Sequence, residues 1–96
     1  MEFEVTGEVI EWRGPAPHHF VAVSADVAEE LTADVAQLSY GWGCIPARVT
    51  LGTTSVSTSL MPRNGGYLVP LKVALRRPEG VELGDEVTLH VEVTPR

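Results

Sequence analysis

The middle of this 96-residue chain lacks acid: thirteen Asp and Glu are present, and none lies between Val35 and Pro78. Cysteine is nearly absent too. Cys44 stands alone, which excludes an intramolecular disulfide and suits the reducing cytoplasm. No apolar run approaches the roughly 20 residues that a membrane-spanning helix needs. The opening Met-Glu-Phe-Glu-Val is acidic and alternating, unlike the basic and apolar regions of a signal peptide. A net charge of −6 and a pI near 4.9 work against nonspecific nucleic-acid binding, which needs basic surface.

What fills the acid-free stretch is base and aromatic. Five of the seven basic residues fall there: Arg48, Arg63, Lys72, Arg76 and Arg77. So do Tyr40, Trp42, Tyr67 and the run Met61-Pro62-Arg63-Asn64-Gly65-Gly66-Tyr67. The flanks are acidic, eight acids against one Arg before position 35 and five acids against one Arg after position 78. Segregation of this kind predicts a local basic face on an acidic protein. At 96 residues with 44% hydrophobic content, the chain is read as one domain spanning 1–96, able to bury a core without staples.

Apolar spacing sets the elements. Phe3, Val5 and Val9 alternate with Glu2, Glu4 and Glu8, so residues 2–12 read as a strand, with a bulge expected near Gly7 because Ile10 and Trp12 fall on the other face. Arg13 to Pro17 is a loop, and His18 to Val23 a second strand. Ser24 reads as the N-cap of a helix whose stripe is Val27, Leu31, Val35 and Leu38. Ile45, Ala47, Val49 and Leu51 alternate with Pro46, Arg48 and Thr50, which turns Arg48 away from the core. Gly52 marks a turn, Thr53 to Met61 a further strand, and Asn64-Gly65 a hairpin. Tyr67 to Val69 returns as a strand. Pro70 is placed in the first turn of a short helix that Pro78 stops. Gly84-Asp85 turns into a last strand through Val87, Leu89, Val91 and Val93. Residues 21–28 and 67–74 echo one another 46 positions apart, each a strand entering a helix. The expected fold is mainly β: a small barrel of about six or seven strands with two short helices.

Several runs carry a resemblance across nearly the whole chain. They are Phe3-Glu-Val-Thr-Gly-Glu-Val-Ile-Glu-Trp, Ser39-Tyr-Gly-Trp-Gly-Cys-Ile-Pro-Ala-Arg-Val-Thr, Thr58-Ser-Leu-Met-Pro-Arg-Asn-Gly-Gly-Tyr-Leu-Val-Pro-Leu-Lys and Gly80-Val-Glu-Leu-Gly-Asp-Glu-Val-Thr. Together they resemble a bacterial family known as a domain of unknown function, DUF1905. The resemblance implies a double-split β-barrel, the fold of swapped-hairpin transcription factors of the AbrB type. It implies no reaction and no catalytic residues. The AbrB-type proteins bind DNA as basic-faced dimers, and this chain departs from them in its acidity.

The candidate site is the basic, aromatic face. Arg48, Arg63 and Lys72 supply cations, and Arg grips carboxylate or phosphate in bidentate fashion. Asn64, Gly65 and Gly66 offer backbone N–H groups, as does a helix start near Pro70. Tyr40, Trp42 and Tyr67 offer a stacking wall. Set against this, Asn-Gly-Gly serves as a plain hairpin, the arginines pair with flanking acids, and the aromatics plug the barrel. Cys44 has no His or cation fixed beside it by sequence, so it reads as a small core residue. His18, His19, His90 and Cys44 match no metal spacing. Ser55, Ser57 and Ser59 form a polar strand face without a triad. No enzyme, cofactor or metal is expected. The leading reading is a non-catalytic binding module for an anionic small molecule or peptide. The alternatives are a nucleic-acid-associated regulator, by fold analogy, and a protein-interaction scaffold, as monomer or homodimer.

Overall fold

In the computed structural model, which describes residues 2–12, 18–33, 44–63 and 66–93, seven strands and two helices alternate along the chain. The strands are β1 (Glu2–Glu8), β2 (Ile10–Trp12), β3 (His18–Ala22), β4 (Ile45–Leu51), β5 (Thr54–Arg63), β6 (Gly66–Pro70) and β7 (Glu86–Val93). The helices are α1 (Ala25–Ala33), between β3 and β4, and α2 (Val73–Glu79), between β6 and β7. All pairings are antiparallel, in the order β1-β7-β4-β5-β6-β3-β2. The two ends of that order, β1 and β2, are consecutive in the chain and separated by Val9 alone. The sheet therefore curls round on itself into the expected small barrel.

Val9 lies opposite a bulge formed by Gly84 and Asp85. Its N–H donates to the Asp85 carbonyl at 2.8 Å, and its carbonyl accepts from the Gly84 N–H at 3.0 Å, so two residues oppose one. The bulge expected near Gly7 does not form there: Gly7 pairs regularly with Val87, and the bulged residues belong to the opposing segment. The reason is the Glu82–Asp85 turn, closed by Glu82 N–H to Asp85 Oδ2 (2.9 Å) and Asp85 N–H to the Glu82 carbonyl (3.1 Å). That closed turn delivers two successive backbone groups to one residue.

The structure contains an internal repeat, but not the one the 46-residue echo aligns. Strand starts His18 and Gly66, and helix starts Ala25 and Val73, are each 48 residues apart rather than 46. Val21 lies opposite Val69. On either side of that pair, Val23 N–H donates to the Tyr67 carbonyl (3.0 Å) and Leu71 N–H to the His19 carbonyl (2.8 Å). A half-turn about the Val21–Val69 pair exchanges these two bonds. The same axis exchanges β1–β2 with β5, α1 with α2, and β4 with β7. It makes Val9 equivalent to Leu60 and Val49 to Leu89, all four buried.

Inside, alternation is obeyed: Val5, Val21, Ile45, Val49, Leu60, Val69, Leu89, Val91 and Val93 fill the barrel, and Leu31 of α1 and Leu75 of α2 join them. Helix α1 begins as its sequence predicts, with Ala28 N–H bonded to the Ser24 carbonyl at 2.9 Å. Helix α2 differs from expectation at both ends. Pro70 is the last residue of β6, and the N-cap is Lys72. Pro78 lies within the helix rather than stopping it. Gly80 stops it, at φ 65° and ψ 32°, with Gly80 N–H to the Arg77 carbonyl and Val81 N–H to the Arg76 carbonyl. This left-handed closure satisfies the last carbonyls at no side-chain cost.

Candidate functional site

Strand alternation projects Arg48 from the outer face of the barrel, since its neighbours Ala47 and Val49 are buried. Pairing places four residues in one row across four strands: Glu2 opposite Glu92, Glu92 opposite Arg48, and Arg48 opposite Ser57. The adjacent row is Glu4, His90, Thr50 and Ser55. Most of these groups are already engaged. His90 Nε2 lies 3.0 Å from Glu2 Oε1, and Thr50 Oγ1 lies 2.7 Å from Ser55 Oγ. Lys72 reaches over from the start of α2 and donates from Nζ to the Ser57 carbonyl at 2.7 Å. Arg48 and Glu92 differ: among the described residues, neither side chain has an ion pair or hydrogen bond.

Around them lies a shallow depression of about 230 Å³, lined by Pro46, Ala47, Arg48, Ser57, Thr58 and Glu92. Its cations are Arg48 within it and Lys72 at its Ser57 side. Its one anion is Glu92. The sequence singled out Arg48 and Lys72 but missed Ser57 and Glu92 as lining groups. The alternation of β7 turns Glu92 outward, yet the β4–β7 pairing that sets it beside Arg48 joins residues more than forty positions apart. Only the fold brings them together.

The other predicted residues separate from this place. Arg63 is exposed at the far end of β5, opposite Gly66. It is six residues beyond Ser57, about 20 Å at roughly 3.3 Å per residue. Gly66 begins β6 beside it. Tyr67 is buried at 6% exposure within the core cluster, so its ring packs the barrel and offers no stacking wall. Tyr40, Trp42, Asn64 and Gly65 lie outside the described residues. A helix-start amide site near Pro70 does not form, because Pro70 is in the strand and α2 has only seven residues.

Arg76 and Arg77 sit in the last turn of α2, beside a second depression lined also by Val73, Gly80, Val81 and Glu82. Arg76 Nε is spent on the Leu71 carbonyl at 2.9 Å, and both cations sit at the negative end of the helix dipole. That arrangement is structural. Cys44 is half-buried just before β4 and free of any disulfide. Among the described residues no cluster of His, Cys, Asp or Glu could hold a metal, and no helix is long and apolar enough to cross a membrane.

The sequence of residues 6–91 matches the family described as domain of unknown function DUF1905. The chain belongs to this family. The match runs from the middle of β1 almost to the end of β7, so the DUF1905 unit is the barrel itself. Arg48, Ser57 and Lys72 fall inside it, and Glu92 lies one residue past its end. No curated protein and no solved structure matches the chain.

Proposed function

We propose that this DUF1905 domain is a non-catalytic binding module. It receives a small anionic ligand, with Arg48 as the principal contact and Lys72 at the edge of the depression. One observation carries the reading: Arg48 is a cation that the fold does not use. The internal axis makes Arg48 equivalent to Thr88 and Ser57 equivalent to Thr6, and Thr6 Oγ1 bonds Thr88 Oγ1 at 2.9 Å. In one half of the barrel, then, a hydroxyl pair suffices for the structure. In the other half the same place holds a guanidinium without a partner among the described residues, and Ser24's counterpart is Lys72. Arg presents a planar fork suited to a carboxylate or phosphate.

The surroundings favour a small ligand over a polyanion. Glu2, Glu4 and Glu92 lie on the same outer face, and they repel a phosphodiester backbone laid across it. The test is a thermal-shift screen of the purified domain against inorganic phosphate, pyrophosphate and small carboxylates. A ligand that binds only the native state raises the melting temperature with concentration. The reading requires a concentration-dependent rise that Arg48→Ala abolishes. A flat screen removes it.

A further inference from the structure

We infer that the ligand carries a positive group as well as a negative one, and belongs to the class of small amino acids. The inference rests on the anion-site reading above and names the chemistry of that same site. Glu92 stands directly opposite Arg48 across the β4–β7 ladder and lines the same depression. Directly opposed residues place their Cβ atoms about 4.5–5.5 Å apart, within easy reach of an Arg–Glu contact. The two heads nevertheless make no ion pair, while the neighbouring carboxylate of Glu2 is taken by His90. The depression therefore presents one open guanidinium and one open carboxylate side by side, with the Lys72 ammonium beyond Ser57.

A simple anion drawn to Arg48 meets the Glu92 charge at once. A ligand with its own ammonium turns that repulsion into a second contact. Carboxylate to Arg48 and ammonium to Glu92 satisfy both charges within one molecule. The depression is small, about 230 Å³, and open to solvent, which suits a short ligand lying between the two charges. Pro46 and Ala47 leave one wall without charge to hold further ionic groups.

The experiment is an NMR titration of the isotopically labelled full chain with β-alanine, propionate and propylamine, which share a short carbon frame and differ in charge. β-Alanine is expected to shift the amide signals of Ala47–Val49 and Val91–Val93 saturably. Propionate is expected to bind roughly ten- to a hundredfold more weakly, the loss of one charge-assisted hydrogen bond. Glu92→Gln should reduce β-alanine to the level of propionate while leaving propionate unchanged or tighter. If β-alanine and propionate bind equally and Glu92→Gln changes neither, the amino-acid assignment falls while the anion site stands. If neither these probes nor inorganic phosphate perturb the β4 and β7 amides, both fall together.

Discussion

Arg48 and Thr88 occupy equivalent places about the internal axis of the barrel, and among the described residues only Thr88 has a side-chain partner, the Thr6 hydroxyl at 2.9 Å. The comparison separates what the fold needs from what it carries in addition. Arg48→Thr, which copies one half of the barrel into the other, should leave stability within about 0.5 kcal/mol of wild type, as for surface positions without a specific role. Urea denaturation measures it. A loss of 2 kcal/mol or more would make Arg48 a structural residue and remove the argument for a site.

Gly52 turns β4 into β5 at φ 60°, and a Cβ there would overlap Glu79 Oε1. Gly52→Ala thus incurs two costs, the left-handed strain and displacement of the Glu79 carboxylate. It should destabilise by about 2–3 kcal/mol. Gly84→Ala is the control, with φ 87° but nothing within 4 Å of the added Cβ. It should cost only the strain, about 1–2 kcal/mol. Equal losses in the two variants would show that the Glu79 contact is of no consequence.

Glu79 also accepts from Thr54 Oγ1 at 2.7 Å, tying the end of α2 to the start of β5 in a partly buried place. A double-mutant cycle on Thr54→Val and Glu79→Gln should show a coupling of about 1–2 kcal/mol, as expected for a hydrogen bond to a charged acceptor. Additive losses would place the two groups apart in solution. The His90–Glu2 pair offers a contrast, because both side chains are about half exposed, at 48% and 58%. Its coupling should lie below about 1 kcal/mol.

Leu89 is fully buried in β7, whereas Leu83 is 48% exposed in the turn before it. Leu89→Ala should cost about 2–5 kcal/mol and Leu83→Ala under about 0.5 kcal/mol, read from denaturation midpoints. Comparable effects would contradict the placement of the turn outside the barrel.

Much of this architecture was legible because it is written in local alternation. The strand at Val87 to Val93 and the strand at Ile45 to Leu51 follow from spacing that survives in the fold, and the helix after Ser24 begins where expected, with Val35 and Leu38 of its stripe outside the described residues. Proline misled at two places. Pro70 stayed in a strand, opposite Phe20, and Pro78 was accommodated inside a seven-residue helix that the left-handed Gly80 terminates. Pro46, by contrast, sits inside β4 as its alternation with Ile45 and Ala47 predicts, opposite Ser59 of β5. The site was half legible. Charge segregation marked Arg48 and Lys72, but it marked Arg63 equally, and only strand register sends Arg63 to the far end of β5. The sequence groups Tyr67 with Tyr40 and Trp42 as a stacking wall, yet its strand parity turns it inward with Val69. Glu92 was invisible as a partner because non-local pairing leaves no mark in composition.

The measurement that bears most directly on the anion site is a phosphate and pyrophosphate titration of wild type, Arg48→Ala and Arg63→Ala, followed by melting temperature and by the amide signals of β4. A saturable response in wild type and in Arg63→Ala, lost in Arg48→Ala with its unliganded melting temperature unchanged, is the predicted result. No saturable response in wild type, or an equal loss in Arg63→Ala, would contradict a site at Arg48.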